Sequence, residues 1–427
     1  MSTTPRKNLY SYLNDGSLSP PFFEKVTLEE ESDDGYWISA IDINGNGKLD
    51  IVTSGLAKGR ITWYENPTWK KRIIAEFSSP VSIDAADIAG RGRNDLLLCH
   101  NFGGCCFNCG PSDGKISWLE NPGTFEDERT WKIRPVSDLV AAHRLRFGHY
   151  TQSEKLELMV APVVGPQPHG EGVHKPVMLT LFEVPEDALT RDGWEGRTID
   201  NQNFRLVHDV FRDKFEGHDG KLLDSVLLSS EEGISWYYFD TQTDLWKIHL
   251  ISEGDQTHAD IGFKGCSNAR TGRLGGDPYG FIATIDPFHG NRVTVHTRQS
   301  GKTMTDQEWR RTVLDDFGPC DPRHQVSCHH IVTGDFDGDG DDEFLVALPG
   351  PMPQQGVYYY KIIDVDKGLI ERWRVSTVSV ANIALGDFDG DGNLDFATNS
   401  YYTPGFYLCD RPQVNIFYNR FAQSVAK

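Results

Sequence analysis

An acidic turn recurs along this chain, and its recurrence limits the fold more than any other feature. Asp42-Ile-Asn-Gly-Asn-Gly-Lys-Leu-Asp50, Asp335-Phe-Asp-Gly-Asp-Gly-Asp-Asp-Glu343 and Asp387-Phe-Asp-Gly-Asp-Gly-Asn-Leu-Asp395 share one pattern. A fourth copy, Asp87-Ile-Ala-Gly-Arg-Gly-Arg-Asn-Asp95, keeps the glycines and end acids but loses the middle ones. Each is followed by a short apolar segment, such as Ile51-Val52 or Phe344-Leu-Val-Ala347. A second unit follows as Ile61-Thr-Trp-Tyr-Glu-Asn-Pro67 and Ile116-Ser-Trp-Leu-Glu-Asn-Pro122, with Ile234-Ser-Trp-Tyr-Tyr238 as a relative. A third is Trp69-Lys-Lys-Arg-Ile73, Trp131-Lys-Ile-Arg134, Trp246-Lys-Ile-His249 and Trp309-Arg-Arg-Thr312. One unit therefore reads strand, acidic turn, strand, strand, strand. Trp63 and Trp118 lie 55 residues apart and Trp118 and Trp236 lie 118 apart, two units of 59.

Seven such units fill the 427 residues, which predicts an all-β chain, a single seven-bladed β-propeller over 1–427. The last unit, 380–420, ends at Val414-Asn-Ile-Phe-Tyr418 with no Trp-Lys strand after it, and 22–28 is a strand with no unit before it. Pairing the two completes blade seven and leaves no free sheet edge. The absence of a long 3.6-period stretch excludes a helical solenoid.

Composition agrees: 42 Gly, 22 Pro and 10 Trp indicate a turn-dense, strand-dense, well-packed chain. Asp and Glu outnumber Lys and Arg by 62 to 42, a formal charge of −20, which argues against a nucleic-acid partner. No apolar run approaches a membrane span, so a soluble chain is expected. Met1-Ser-Thr-Thr-Pro-Arg6 opens a polar segment without the apolar core of a signal peptide. No usable glycosylation sequon is present, Asn66 being followed by Pro67. The compartment stays open, and no partner protein is implied. Cys105, Cys106 and Cys109 have the look of a zinc knuckle, but no second paired ligand set accompanies them. A loop with disulfides or free thiols is the preferred reading.

Carboxylates at alternating positions, with glycines that permit a tight turn, suit a hard cation such as Ca²⁺ or Mg²⁺. The expected ligand sets are Asp335, Asp337, Asp339, Asp341 and Glu343; Asp387, Asp389, Asp391, Asn393 and Asp395; and Asp42, Asn44, Asn46 and Asp50. Flanking strands and the missing Glu at position 12 rule out an EF-hand, and the pattern resembles the calcium turns of FG-GAP propellers. Such a metal is structural.

The opposite rim is where chemistry is expected. Residues just before each first strand, and just after each second strand, gather there. Counting back from the loops gives His329 and, by aligning Gly148 with Gly334 and Gly386, His143 followed by Arg144. His100 and Tyr401 follow second strands, His289 ends the equivalent strand of blade five, and His208 opens blade four. Any one of these alone is more often a structural histidine; several at related registers suggest one asymmetric site. Histidines serve as acid or base near neutrality, and three can hold Ca²⁺ or Zn²⁺ in the channel. His208, His289 and His329 are the expected channel ligands, and His100, His143, Arg144 and Tyr401 the expected catalytic set. Arg144 suits a carboxylate or developing enolate, and Tyr401 a leaving oxygen. Trp37 and Phe102 are placed to stack on a sugar ring, with core packing as the alternative. No carboxylate pair for glycoside hydrolysis, Gly-x-Ser-x-Gly or Walker pattern appears.

At these residues the chain resembles the propeller domain of fungal aldos-2-ulose (1,5-anhydrofructose) dehydratases. The resemblance is carried by Asp34-Gly-Tyr-Trp37, Ile116-Ser-Trp-Leu-Glu-Asn-Pro-Gly123, His143-Arg-Leu-Arg-Phe-Gly-His149, Leu206-Val-His208, Phe288-His-Gly-Asn291, Ser327-Cys-His329, Ser400-Tyr401 and Pro404-Gly405. It implies a lyase that eliminates across a sugar ring, with a metal in the propeller centre and His143, His208, His289 and His329 at its core. Two departures are the absence of following cupin domains and the segment from His100 through Gly103-Gly-Cys-Cys-Phe-Asn-Cys109. A single propeller is also similar to the fungal lyases that release terminal L-rhamnose from α-1,4-linked D-glucuronate. That resemblance is preferred and implies a uronate-containing substrate, with His100 as base or acid and Arg144 on the carboxylate. A non-catalytic propeller binding sugars or proteins is the alternative of another class.

Overall fold

The computed structural model describes residues 11–12, 20–104, 109–125, 131–167, 171–216, 220–257, 263–299, 308–318, 327–350, 352–364, 369–405 and 407–421. Every named element is a strand, and the strands form seven sheets in a ring. Blade one is Trp37–Ile41, Asp50–Ser54, Arg60–Glu65 and Lys70–Glu76, from channel to rim. Blade two is Ser82–Ala86, Asp95–His100, Lys115–Glu120 and Lys132–Asp138. Blade three is Ala142–Gly148, Glu157–Pro162, Leu179–Glu183 and Gly196–Asp200. Blade four is Asp209–Glu216, Leu222–Ser230, Gly233–Asp240 and Leu245–Ser252, and blade five Asn268–Leu274, Asp277–Asp286, Arg292–Arg298 and Trp309–Asp316. Blade six is His330–Gly334, Glu343–Leu348, Gly356–Asp364 and Leu369–Ser376, with Ser11–Tyr12 added in parallel at its outer edge. Nothing in the sequence pattern announced that fifth strand.

Blade seven closes as the sequence predicts. Asn382–Gly386, Asp395–Asn399 and Val414–Asn419 are completed by Phe23–Glu29, which pairs antiparallel with Val414–Asn419 in the register Val26↔Ile416. The inner strands of blades three, six and seven end on Gly148, Gly334 and Gly386. A Cβ at Gly334 would lie 2.3 Å from Leu394 of the next blade's acidic turn, and one at Gly386 would lie 2.5 Å from Leu49. The seventh-to-first contact thus repeats the sixth-to-seventh, so the ring closes without a special joint.

The acidic turn is built by its own hydrogen bonds. The first carboxylate accepts backbone N–H groups of both glycines, 2.8 and 2.9 Å at Asp42 and 2.7 and 3.0 Å at Asp387. The last carboxylate accepts one N–H from inside the turn and one from the Asn ending the third strand. Asp50 does so with Ile43 (3.0 Å) and Asn66 (2.7 Å), and Asp395 with Phe388 (2.8 Å) and Asn419 (2.7 Å). The same Asn side chain reaches the preceding blade: Asn66 to the Phe388 carbonyl, Asn121 to that of Ile43, and Asn419 to that of Phe336. Blade-to-blade stitching is therefore what the recurring Asn contributes. Trp63, Trp118 and Trp236 are buried between sheets, with Arg72 and Arg134 over the first two rings at 5.3 Å.

Candidate active site

The inner strand of each blade starts at one face and runs down to the acidic turn, so residues before it crowd one mouth of the channel. His143 is the second residue of Ala142–Gly148, and His208 and His329 immediately precede Asp209–Glu216 and His330–Gly334. His289 follows Asp277–Asp286 and has a φ of 50°. Ala141 and Leu206, beside His143 and His208, also have positive φ, 61° and 47°. Such strain in residues with a Cβ persists only where surrounding structure enforces it, and it concentrates at this mouth.

The four imidazoles meet. His208 and His289 face each other Nε2 to Nε2 at 2.9 Å, and His329 lies 5.2 Å from His208 and 5.6 Å from His289 between ring centroids. His143 is 5.4 Å from His208. Nδ1 of His208 donates to the Ser267 carbonyl (3.0 Å) and Nδ1 of His329 to that of Ala381 (2.7 Å), which leaves their Nε2 lone pairs pointing inward. Two Nε2 atoms at 2.9 Å require a proton or a cation between them. One ligand atom each from His208, His289 and His329 falls within 4.8 Å of the others. This donor set fits a divalent ion that accepts imidazole nitrogen.

Burial, first, holds these imidazoles neutral. It drives His143, His208 and His289 well below the usual histidine range, with neighbouring histidines and Arg144 adding to the effect. His329 is pushed down to about 3 by burial and by Arg144. Arg144 is 2 % exposed. It donates to His143 Nε2 (3.0 Å), Tyr36 Oη (3.1 Å) and the Val81 carbonyl (3.1 Å), and its guanidinium lies 5.1 Å from the Trp37 ring. Among the described residues no carboxylate lies within ion-pair distance of it.

Tyr401 joins the cluster, its ring 5.4 Å from His329 and stacked on Tyr407 at 4.3 Å. Phe102 packs 5.3 Å from His143. Trp37 lies beneath Arg144, with Arg146 also 5.7 Å from its ring and its Nε1 on Ser39. It is a platform for guanidinium groups rather than a free sugar-stacking face. His100 is placed apart from the cluster: Nε2 bonds Ser117 Oγ at 2.9 Å, its ring packs on Phe77, and among the described residues it makes no ring contact with the other four. The alternation of Asp95–His100 explains this, because Cys99, not His100, lies on the side whose charge environment includes Arg144.

Sequence reading missed Tyr36, whose hydroxyl holds Arg144 and whose ring lies 5.3 Å from Tyr401. It also missed a belt one layer below the mouth. Inner strands of blades two to six contribute Asp84, Arg146, Asp209, Arg270 and His330 in turn. Arg270 pairs with Asp209 and with His330 Nε2 (3.0 Å). Burial pushes Asp209 up, but Arg270 and Arg146 bring it below the usual carboxylate range. Residues of this belt line a cavity of about 300 Å³ in the lower channel.

The acidic turns sit at the other face. Asp335, Asp337 and Asp339 bring oxygens within 4.8 Å, as do Asp387, Asp389 and Asp395. Both clusters also hold a side-chain cation. Lys361 bonds Asp337, Asp339 (2.6 Å) and Glu343 (3.0 Å), and Arg420 bonds Asp389 (2.6 Å) and Asp391 (2.9 Å). In blade two, Arg91 stands at the fifth position and pairs with Asp95 at 2.9 Å. Asp341 differs from its expected ligand role, since its carboxylate accepts the Gly275 N–H of blade five at 2.7 Å. Asn393 donates its N–H to Asp391, and Asn44 and Asn46 turn their amides to Glu65 and the Asn66 carbonyl. Burial raises Asp50 and Asp395 to about 6 and Glu343 to about 7. Cys109 is disulfide-bonded, which favours the disulfide loop over a zinc knuckle; Cys105 and Cys106 lie outside the described residues.

Fold and site together define a seven-bladed β-propeller of repeated acidic turns whose channel mouth is lined by histidines. Residues 42–98 match the FG-GAP-like repeat, and residues 113–299 match the family model of the aldos-2-ulose dehydratase β-propeller domain. The chain is 30% identical over 420 residues to the aldos-2-ulose dehydratase of Phanerodontia chrysosporium, covering 93% of this chain and 46% of that protein. It thus spans about half the length of that relative, and the resemblance to this family read from the sequence is borne out. Solved structures with similar outlines include a chain of a mitotic checkpoint complex (9% identity, 96% of this chain and 98% of that one, TM-score 0.49). Another is a putative 6-phosphogluconolactonase of Bacteroides uniformis (10% identity, 90% of this chain and 100% of that one, TM-score 0.45). At these scores neither carries an argument about this chain.

Proposed function

We propose that the mouth of this propeller is the active site of a carbohydrate lyase that cleaves a C–O bond by β-elimination. The observation that carries the reading is Arg144. A buried guanidinium with four hydrogen bonds and no carboxylate partner among the described residues is costly unless it meets an anion. It stands beside imidazoles kept neutral by burial, the form that accepts a proton.

The chemistry balances as follows. A neutral imidazole of the cluster takes the proton from the sugar carbon next to a carbonyl or carboxylate. Arg144 stabilises the oxygen charge that develops there. The bond to the β-oxygen then breaks, and a hydroxyl of the Tyr36–Tyr401 pair would protonate the departing oxygen. A divalent ion bound by His208, His289 and His329 would add Lewis-acid polarisation of a substrate oxygen. Ca²⁺ or Mg²⁺ in the acidic turns of blades one, six and seven would be structural.

Two substrates fit. Similarity to the dehydratase supports loss of water from an aldos-2-ulose or 1,5-anhydrofructose. The capacity of Arg144 to hold a carboxylate supports the elimination of terminal L-rhamnose from an α-1,4-linked glucuronate. Incubation with each, followed by ultraviolet absorbance and product mass, tests the reading: an enone or an unsaturated uronate is expected. Saturated products heavier by one water would mean hydrolysis and overturn it, as would no change in either substrate.

A further inference from the structure

Below the mouth, the charged belt turns both donors and an acceptor toward its cavity. Arg146, Arg270, His330 and Asp84 all line that cavity, whose volume is about 300 Å³. Aromatic faces carry the two guanidinium groups, Trp37 at 5.7 Å from Arg146 and Phe211 at 4.6 Å from Arg270. Stacking takes up the faces of a guanidinium and leaves its N–H edges for hydrogen bonds. Half-buried Arg146 spends one donor on the Leu145 carbonyl at 2.6 Å. No carboxylate among the described residues lies within ion-pair distance of it.

His330 adds a further donor. Its Nδ1 accepts the Ile383 N–H at 3.2 Å, so the ring carries its proton on Nε2. That Nε2 stands 3.0 Å from Arg270 Nη2. Two N–H donors facing each other at this distance repel, and an acceptor in the cavity that takes both resolves the conflict. Asp209 is not that acceptor, since it pairs with Arg270 Nη1 and does not line the cavity. Asp84 does line it. One Asp84 oxygen accepts the Phe147 N–H at 2.8 Å, and the other has no hydrogen-bond partner among the described residues. A carboxylate accepts and cannot donate. The wall therefore suits an occupant that accepts from Arg146, Arg270 and His330 and donates one O–H to Asp84.

We propose that the lower channel holds a second ligand site, for hydrogen phosphate. That ion has one hydroxyl and three accepting oxygens, which match the one acceptor and three donor groups of the wall. Sulfate has the same shape but no proton at neutral pH, so Asp84 would face a bare negative oxygen and reject it. Arg144 and Arg146 lie two residues apart on one strand and share the Trp37 ring, at 5.1 and 5.7 Å. The phosphate site and the histidine mouth are thus neighbouring layers of one channel. The site does not depend on the elimination reading.

The test is calorimetric titration of the purified, phosphate-free protein at pH 7 with sodium phosphate and with sodium sulfate. Phosphate is expected to bind one-to-one, and sulfate about tenfold more weakly or worse, the worth of one charge-assisted hydrogen bond. Arg146→Met should weaken phosphate about tenfold, whereas Arg144→Met, at the mouth, should retain it. Asp84→Asn keeps an acceptor for the Phe147 N–H and supplies an amide donor, so it should bind sulfate at least as well as phosphate. Equal binding of the two anions by wild type, or no heat from phosphate, overturns the site whether or not any variant folds. Loss of phosphate binding in Arg144→Met with retention in Arg146→Met would place the ion at the mouth and overturn the site likewise. None of these outcomes touches the elimination reading, which product absorbance tests separately.

Discussion

Acid should unfold this protein earlier than its carboxylates would suggest, because its histidines are buried neutral. His143, His208, His296 and His329 are each no more than 2 % exposed. Burial pushes His296 and His329 down to about 3, and takes His143 and His208 well below the ordinary value. Below the unfolded value near 6.5 the unfolded chain takes up protons that the folded chain refuses, so stability falls as pH falls through that range. Going from pH 7 to pH 5, His296 and His329 each cost about 2 kcal/mol, and His143 and His208 act in the same direction. His100, held at about 4, costs about 2 kcal/mol more, and burial gives His289 and His330 the same sign. Asp50, Asp395 and Glu343 act in the opposite sense. Their folded values are raised to about 6, 6 and 7, so protonation on acidification offsets about 5 kcal/mol. Burial also raises Asp34, Asp95, Asp213, Asp286, Asp315, Asp342 and Glu371, so the histidine contribution is isolated by removing one histidine. An unfolding entropy of about 2.1 cal/mol/K per residue over 427 residues makes about 2 kcal/mol worth about 2 °C. Scanning calorimetry in EDTA at pH 7 and pH 5 measures it. His296 lies away from the mouth in blade five, and His296→Leu should narrow the shift by about 2 °C. An unchanged difference between the pH 7 and pH 5 transition temperatures in His296→Leu would refute the neutral-histidine account. A divalent ion on the channel histidines acts in the same direction, since protons compete with it.

Three further outcomes follow from the same contacts. His208→Ala, His289→Ala and His329→Ala should each abolish a channel divalent ion in elemental analysis of purified protein while leaving ions in the acidic turns. Lys361→Met leaves Asp337, Asp339 and Glu343 without their ammonium, so it should lower the transition temperature in EDTA and raise calcium affinity at that turn about tenfold; unchanged calorimetric titrations would contradict the competing-cation reading. Arg144→Met should reduce kcat about 10²–10³-fold on whichever sugar is turned over, and Arg144→Lys should not restore it, because an ammonium cannot serve Tyr36, His143 and substrate in one plane.

The architecture was readable because each blade repeats two signals at fixed spacing, the acidic turn and the Trp-bearing third strand. Even the closing strand was recoverable, since an orphan strand at 22–28 and a three-stranded last unit can satisfy only each other. The histidine cluster was readable by register, because Gly148, Gly334 and Gly386 mark the same end of equivalent strands. What failed was side-chain direction at single positions. His100 and Cys99 are neighbours, and one step of strand alternation sent the imidazole to Phe77 instead of the cluster. Asp341 likewise fits the loop pattern but serves blade five. Tyr36 lies in the Asp34-Gly-Tyr-Trp37 segment that carries the resemblance but was not singled out in it, and the charged belt had no local signature. The belt's members come from different blades, as with Asp209 and Arg270, 61 residues apart, and only the packing of blade on blade makes them neighbours.

The belt bears on why Arg144 keeps its charge unquenched. Arg146 and Arg270 are balanced by Asp84 and Asp209 within one layer of the channel, and Arg144, two residues before Arg146 on the same face of the same strand, has no acid within ion-pair distance among the described residues. Moving a carboxylate up one layer would neutralise it by a salt bridge and remove the anion site. The chain as a whole carries −20, a field that opposes an acidic ligand at long range but is screened beyond about 8 Å at physiological salt. Within that distance of the mouth, the neutral imidazoles contribute no charge and the hydroxyls of Tyr36 and Tyr401 none. At the cluster the Arg144 guanidinium acts together with Arg146, Arg270 and Asp209 of the layer below, Asp209 reaching His329, and an acidic sugar that reaches Arg144 meets a positive group inside a strongly acidic protein.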